Sequence, residues 1–294
     1  MREVVIISGK GGTGKTSVTA SFAALAAGGA VLADCDVDAA DLHRVLTPRI
    51  LRREVFVSGH EAVIREADCT GCGLCLEACR FEAVRKIEER GRYAVDAAAC
   101  EGCGVCVRVC PVGAVDFPER TCGEWFVSET RAGPMVHARL GIAAENSGKL
   151  VSLVREEARR IARERGLDLV LVDGPPGVGC PVIASVTGAA LVVVVTEPTR
   201  SGEHDLLRVL ALTRHFSIRA AVAVNKWDLN PRMADLIEKG AAEAGATVLP
   251  RITYDQGVTR ALVRGKTAVE AGGPAAEDIT KGWRVVCGLL AKAA

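Results

Sequence analysis

Aromatic residues are scarce in this chain, with 3 Trp, 2 Tyr and 6 Phe among 294 residues. No long basic block and no stripe of cations interleaved with aromatics is found, so the surfaces typical of nucleic-acid binders are not implied. An excess of one charge is lacking too, because 37 Lys and Arg against 36 Asp and Glu leave a formal charge of +1. No uninterrupted apolar run approaches membrane-spanning length. Met1, Arg2 and Glu3 pass straight into the apolar run Val4–Ile7, without the charged segment, apolar segment and cleavage site of a secretory leader. What is present is a chain 49% hydrophobic and 25% charged, long enough to bury a full core and carry a second domain.

Cysteine is the exception to this plainness. The chain has 12, a count at odds with a reducing cytoplasm unless most of them bind metal, and the cytoplasm is the expected location. Cys69, Cys72, Cys75 and Cys79 follow the spacing C-x2-C-x2-C-x3-C, and Cys100, Cys103, Cys106 and Cys110 repeat it, with Pro111 completing the second run. This is the spacing of bacterial two-cluster ferredoxins, in which the fourth cysteine of each run ligates the other run's cluster. By that rule Cys69, Cys72, Cys75 and Cys110 hold one [4Fe–4S] cluster, and Cys100, Cys103, Cys106 and Cys79 hold the second. The repeat extends past the cysteines, since Glu82-Ala83-Val84 parallels Gly113-Ala114-Val115. Zinc and disulfides are the competing readings. The doubled spacing is poor for tetrahedral zinc pairs, and the expected compartment disfavours disulfides. Arg80 stands where the second run has proline, so the two sites need not be equivalent.

A second motif has a different chemistry. Gly9-Lys10-Gly11-Gly12-Thr13-Gly14-Lys15-Thr16 fits G-x-x-x-x-G-K-[ST] and follows Val4–Ile7 directly, as a phosphate-binding loop between strand and helix requires. Glycines let backbone N–H groups of Gly11, Gly12, Thr13 and Gly14 turn toward phosphate oxygens, with Ser17 next in the helix. Lys15 reaches the β- and γ-phosphates, and Thr16 offers its hydroxyl to Mg2+.

Short β-branched runs alternate with helical stretches, which predicts an α/β fold with a parallel sheet covered on both faces. Strands are expected at Val4–Ser8, Ala30–Asp34, Leu167–Asp173, Ala190–Thr196, Ala220–Asn225 and Thr247–Leu249. Lys149–Glu164 reads as a solvated surface helix with an apolar face of Leu150, Leu153, Val154 and Ile161. The alternation breaks between about Ile64 and Phe117. The expected division is therefore a P-loop domain over 1–63 and 118–294, with a small α+β, ferredoxin-like domain inserted over 64–117.

Asp34, Asp36 and Asp38 end the second strand, and Asp173-Gly174-Pro175-Pro176-Gly177 ends a later one, placing carboxylates at the crevice where parallel sheets bind ligands. With Lys10 in the loop, these motifs resemble the deviant Walker ATPases of the MinD/ParA/Mrp type, and more narrowly those that carry an inserted ferredoxin domain. The resemblance extends over nearly the whole chain, including Glu145–Leu150, Gly179–Ser185 and Glu197-Pro198-Thr199, segments without assigned chemistry. It implies a dimer, of identical chains or with a paralogue, closing around ATP, with Lys10 reaching the partner's phosphates. It further implies that Asp36 positions the attacking water, that Asp34 and Asp173 support the magnesium shell, and that Asn225 contacts adenine. Asp41 departs from the Asn expected in this subgroup.

The remaining residues leave alternatives open. Cys180 lies seven residues after Asp173, a distance at which related iron proteins bridge a cluster, or it is an inert buried cysteine. Cys287 reads as core, and the helix around it carries too few cations for a membrane anchor. His137 sits either in a hinge that relays nucleotide state or in a hairpin packed on the sheet; His43, His60, His204 and His215 read as surface or capping residues. The expected function is Mg-dependent ATP hydrolysis that gates electron transfer through, or delivery of, iron–sulfur clusters to a redox or metallocofactor-assembly partner. The alternative is a MinD/ParA-like positioning ATPase whose clusters are structural or sensory.

Overall fold

The apolar run near the N-terminus forms the strand Arg2–Ser8, fully buried from Val4 to Ile7. In the computed structural model, which describes residues 1–88, 91–141 and 147–292, this strand is the fourth in a nine-stranded, mostly parallel sheet. It pairs in parallel with Leu169–Pro176 on one side and Leu191–Thr196 on the other. Ala30–Asp34 continues the sheet beyond Leu169–Pro176, and Ala220–Val224 and then Thr247–Val248 continue it beyond Leu191–Thr196. Runs such as Leu191–Thr196 are buried at every position because helices cover both faces, which removes the need for alternation.

Three further strands were not legible. Gly133–Leu140 pairs in parallel with Ala30–Asp34, bringing His137 beside Asp34 in register. Glu119–Thr130 lies next, and Arg49–His60 forms the edge. The edge strand carries Arg49, Arg52, Arg53 and Glu54, so its polarity hides it, as is common where one side of a strand faces solvent. Gly133 has φ of 122°, and a Cβ there would stand 2.7 Å from the Ala30 carbonyl oxygen, so the close approach of these strands requires glycine.

One face of the sheet is covered by Lys15–Leu25 and Pro274–Ala291, where Phe22 and Trp283 rings meet at 5.0 Å. Cys287 is exposed on the latter helix, which corrects the expectation of a core residue. Val286 and Leu290, four apart, take the buried face and turn Cys287 away from it. The helix Ser147–Glu164 buries Leu150, Val151, Val154 and Ile161, but its charged residues are not all solvated. Arg155 is buried and forms a bidentate pair with Glu3 at 2.7 and 2.9 Å, also donating to the Thr187 carbonyl at 3.0 Å and to the Ala184 carbonyl. Glu145 and Asn146, part of a motif noted above, lie outside the described residues.

The chain separates into two compact units. The larger comprises Met1–Glu54, Trp125–Arg139 and the chain from Ser147 onward; the smaller is centred on Val55–Glu124. Within the smaller unit, Val63–Ile64 pairs antiparallel with Val115–Asp116 and Val84–Ile87 with Arg92–Val95. Two five-residue helices, Leu74–Ala78 and Val105–Val109, begin after left-handed Gly73 and Gly104, so the sequence repeat is also a conformational one. Among the described residues no helix is long and apolar enough to cross a membrane.

Truncating Glu3→Ala leaves the buried Arg155 guanidinium without a carboxylate to balance its charge, which costs about 3–5 kcal/mol. Chemical denaturation of the two proteins should show a loss of this size; a loss within experimental error would show that Glu3 does not compensate Arg155.

Candidate functional site

The loop between Arg2–Ser8 and Lys15–Leu25 is built around left-handed glycines. Gly14 has φ of 90°, and a Cβ on it would meet Asn225 Nδ2 at 2.4 Å, so this position accepts no side chain. Lys15, the first helical residue, is buried and donates to Asp173 Oδ1 at 2.9 Å, with Asp36 Oδ2 at 3.3 Å. Thr16 donates to Asp173 Oδ2 at 2.8 Å and Thr19 to Asp173 Oδ1 at 2.9 Å. Asp34 is wholly buried and accepts from the backbone N–H groups of Asp36 and Leu42, each at 3.2 Å.

Three carboxylates thus crowd one ammonium group. Burial and the neighbouring Asp173 push the Asp34 carboxyl well above its ordinary value, and Lys15 offsets this only in part. Burial also raises Asp36, again against the pull of Lys15. Burial alone would lower Lys15, but Asp173 and Asp36 outweigh it and raise the amine. Excess negative charge beside a threonine hydroxyl is a donor set suited to Mg2+, a hard cation that takes oxygen ligands. Thr13 Oγ1 is buried with no hydrogen-bond partner, a polar group in the loop left for a ligand.

The cleft beside these residues encloses about 610 Å3 and is lined at one end by Gly11, Gly12, Gly14, Lys15, Thr16 and Ser17. Asn225, just past the end of Ala220–Val224, donates to the Thr13 carbonyl at 2.8 Å and accepts from Lys226 N–H at 3.0 Å. The lining also includes the apolar side chains of Ile252, Val258 and Leu262, with Tyr254. Sequence reasoning missed these residues, although Val258 and Leu262 have the i, i+4 spacing of one helical face. Lys10 points elsewhere, to Thr199 and Ser201.

In the smaller unit the eight run cysteines are gathered around two cavities. One is lined by Cys69, Cys72, Cys75 and Cys110, the other by Cys79, Cys100, Cys103 and Cys106. All twelve cysteines are free thiols, and among the described residues no three His, Cys, Asp or Glu side chains converge on a single ion. Four thiols spread around a cavity fit a polynuclear cluster better than zinc, whose thiolates must all approach to about 2.3 Å. Backbone donors point at the sulfurs: Ala114 N–H donates to Cys110 Sγ at 3.2 Å. At Cys79, burial is outweighed by the N–H groups of Phe81, Glu82, Ala83 and Val84, which hold the thiol below its ordinary value. The turns that aim them are matched, since Glu82 (φ 54°) and Gly113 (φ 64°) occupy equivalent left-handed positions. Thiolate ligation with amide donors to sulfur is how such clusters are held and tuned.

Of the remaining candidates, His137 lies in a sheet strand and is largely buried. It shares a 3.0 Å hydrogen bond with Ser128 Oγ and stacks between Phe126 and His43. Burial and His43 lower its pKa to about 4, so it is neutral at physiological pH. Cys180 is exposed at the start of Cys180–Val186, contrary to the reading of a buried cysteine. Cys35 and Cys122 are both buried.

Residues 62–117 match the family model of a 4Fe-4S dicluster domain. The chain is 32% identical over 237 residues to the uncharacterized protein MJ0578 of Methanocaldococcus jannaschii, covering 78% of this chain and 79% of that relative. Its fold matches the septum site-determining protein MinD of Pyrococcus horikoshii, solved with Mg-ADP, at a TM-score of 0.60 and 17% identity over 100% of this chain and 98% of that one. It also matches a ParA family ATPase from Chlorobium tepidum TLS at a TM-score of 0.55 and 17% identity, covering 96% and 98% of the two chains. At these identities the likeness to the solved structures is one of fold.

The raised Asp34 carboxyl gives a pH signature. From about pH 4, the ordinary carboxylate value, up to its raised folded value, the folded chain holds more protons here than the unfolded chain. By linkage this group's contribution to stability falls as pH rises through that window. Asp34→Asn should therefore gain stability relative to the parent chain as pH rises above about 4 in Mg2+-free buffer, as measured by denaturation at a series of pH values. A stability difference independent of pH would contradict the assignment.

Proposed function

This chain belongs to the family of the Methanocaldococcus jannaschii protein MJ0578 and joins a MinD/ParA-type fold to a 4Fe-4S dicluster domain; from that premise we propose an ATPase whose nucleotide state governs what iron–sulfur clusters do for a partner protein. The observation that carries the reading is the pairing, in one chain, of the Lys15–Asp173–Thr16 nest with two four-cysteine cavities. The proposed division assigns 1–63 and 118–294 to nucleotide chemistry and 64–117 to the clusters, in a cytoplasmic setting.

Lys15 neutralises the β- and γ-phosphates, and the N–H groups of Gly11 to Gly14 cradle them. Thr16 is the Mg2+ ligand, with Asp34 and Asp173 as outer supports. Asp36 orients the attacking water, and Lys10 supplies positive charge to a nucleotide held by a second chain, in the manner of an arginine finger. Asn225 closes the base end. Cys69, Cys72, Cys75 and Cys110 hold one [4Fe–4S] cluster, and Cys79, Cys100, Cys103 and Cys106 the other. When bound, the clusters supply one-electron transfer. Within the larger unit, Asp34, at the nucleotide end of its strand, lies beside His137 in register, and His137 stacks on His43 just after Asp41. A shift of the segment after Asp34 on hydrolysis would move this stack and the strand Gly133–Leu140 that carries it.

The likeness to a septum site-determining protein favours a second reading, an ATP-dependent positioning device whose clusters are structural or sensory. It requires binding to a surface or cargo, whereas the first requires clusters that respond to nucleotide.

Anaerobic reconstitution should give about eight iron atoms per chain, with one spectroscopically distinct cluster lost in both Cys79→Ser and Cys100→Ser and the other lost in both Cys110→Ser and Cys69→Ser. Iron near zero would overturn the cluster assignment, and loss of one cluster in Cys79→Ser together with Cys69→Ser would overturn the exchange of ligands. Mg-dependent ATP hydrolysis should be abolished in Lys15→Ala; persistence of activity in that variant would place the reaction elsewhere.

A further inference from the structure

Glu197, Pro198 and Thr199 form a motif that neither the nucleotide nor the cluster chemistry uses. The structure wraps it around Lys10. The ammonium group donates to Thr199 Oγ1 at 3.3 Å and Ser201 Oγ at 3.1 Å, and lies 3.7 Å from Glu197 Oε2. Two hydroxyl acceptors and one carboxylate thus surround the ammonium group within its own chain.

This arrangement is fixed on both sides. Thr199 Oγ1 also accepts from Gly202 N–H at 3.0 Å, capping the helix Arg200–His215. A Cβ on Gly202 would stand 2.4 Å from the Glu197 carbonyl oxygen, so the turn is closely packed. On the loop side, Ser8 Oγ donates to the Lys10 carbonyl at 2.8 Å, and a Cβ on Gly9 would stand 2.4 Å from Asp205 Cβ. Glu197 holds a second cation as well, pairing with Lys226, whose Nζ also reaches the Gly12 carbonyl at 3.5 Å. One carboxylate therefore restrains two lysines on the rim of the phosphate loop.

We infer that Glu197, Thr199 and Ser201 form a resting seat for Lys10, which the lysine gives up when a second copy of the chain presents its nucleotide phosphates. This rests on the ATPase reading above and adds its regulation. One lysine cannot occupy the seat and a partner's phosphates together, so the seat competes with the active dimer and biases the chain toward the resting state. Side chains of the Lys10–Glu197 pair are 31% and 18% exposed, and a pair of that accessibility shifts an equilibrium by up to about five-fold. Glu197 and Ser201 are positioning residues in this scheme.

Two measurements on the reconstituted full chain test it. In nucleotide-free protein, the rate at which an amine-reactive reagent modifies Lys10, read by peptide mass spectrometry, should rise about two- to five-fold in Glu197→Gln and in Ser201→Ala, a variant that leaves the helix cap intact. The protein concentration giving half-maximal ATP hydrolysis should fall by a similar factor in both. Unchanged Lys10 reactivity, or an unchanged midpoint in a parent chain that hydrolyses ATP, overturns the seat. Raised reactivity in a chain without ATPase activity supports the seat and overturns the ATPase reading instead.

Discussion

The larger unit of the molecule depends on Asp173. Its carboxylate has no exposed surface and binds Lys15, Thr16 and Thr19 at once, tying the first turn of the loop helix to the end of a central strand. Its strand lies between Arg2–Ser8, which feeds the phosphate loop, and Ala30–Asp34, which delivers the other two carboxylates. The carboxylates are therefore positioned by three adjacent, buried strands of the sheet. Such burial has a cost, because three carboxylates share one lysine, and the raised Asp34 and Asp36 carboxyls record it. A divalent cation held by these oxygens would offset that cost and so would favour the folded site.

The smaller unit solves a different problem, holding eight thiols without the help of a large core. Its buried side chains are few, with Cys75, Val84 and Tyr93 at the centre and other cysteines packed against them. Stability of such a unit rests on its ligands, as expected of small metal-binding domains. The left-handed Glu82 costs energy that Gly113 avoids at the equivalent position, yet both turns direct amides toward a cysteine of their own run. The two halves are thus alike in backbone and differ in the residue that occupies this turn.

Much of this was legible in the sequence where local rules decide. The loop Gly9–Thr16 is a complete pattern in its required context, and the central strands are continuous apolar runs. The outer strands escaped notice because Arg49–His60 is charged and Glu119–Thr130 polar, and only pairing in three dimensions makes them strands. Arg155 read as one more solvated charge, since nothing local marks that Glu3, 152 residues away, would meet it in the core. Cys287 was misread for a related reason: a helix that buries Val286 and Leu290 leaves its neighbours to solvent, and composition alone does not give the phase. The cavities lined by cysteines from both runs are long-range features too, yet their make-up follows from a spacing rule.

The central claim is that nucleotide state and cluster chemistry are energetically linked. The most direct test is an anaerobic redox titration of the reconstituted protein, followed by electron paramagnetic resonance, without nucleotide, with ADP and with a non-hydrolysable ATP analogue. A midpoint shift of about 60 mV in a one-electron couple corresponds to ~1.4 kcal/mol of coupling. The account predicts a shift of at least that size between the ADP and ATP-analogue states, absent in Lys15→Ala. Identical midpoints and spectra in all three states would contradict it.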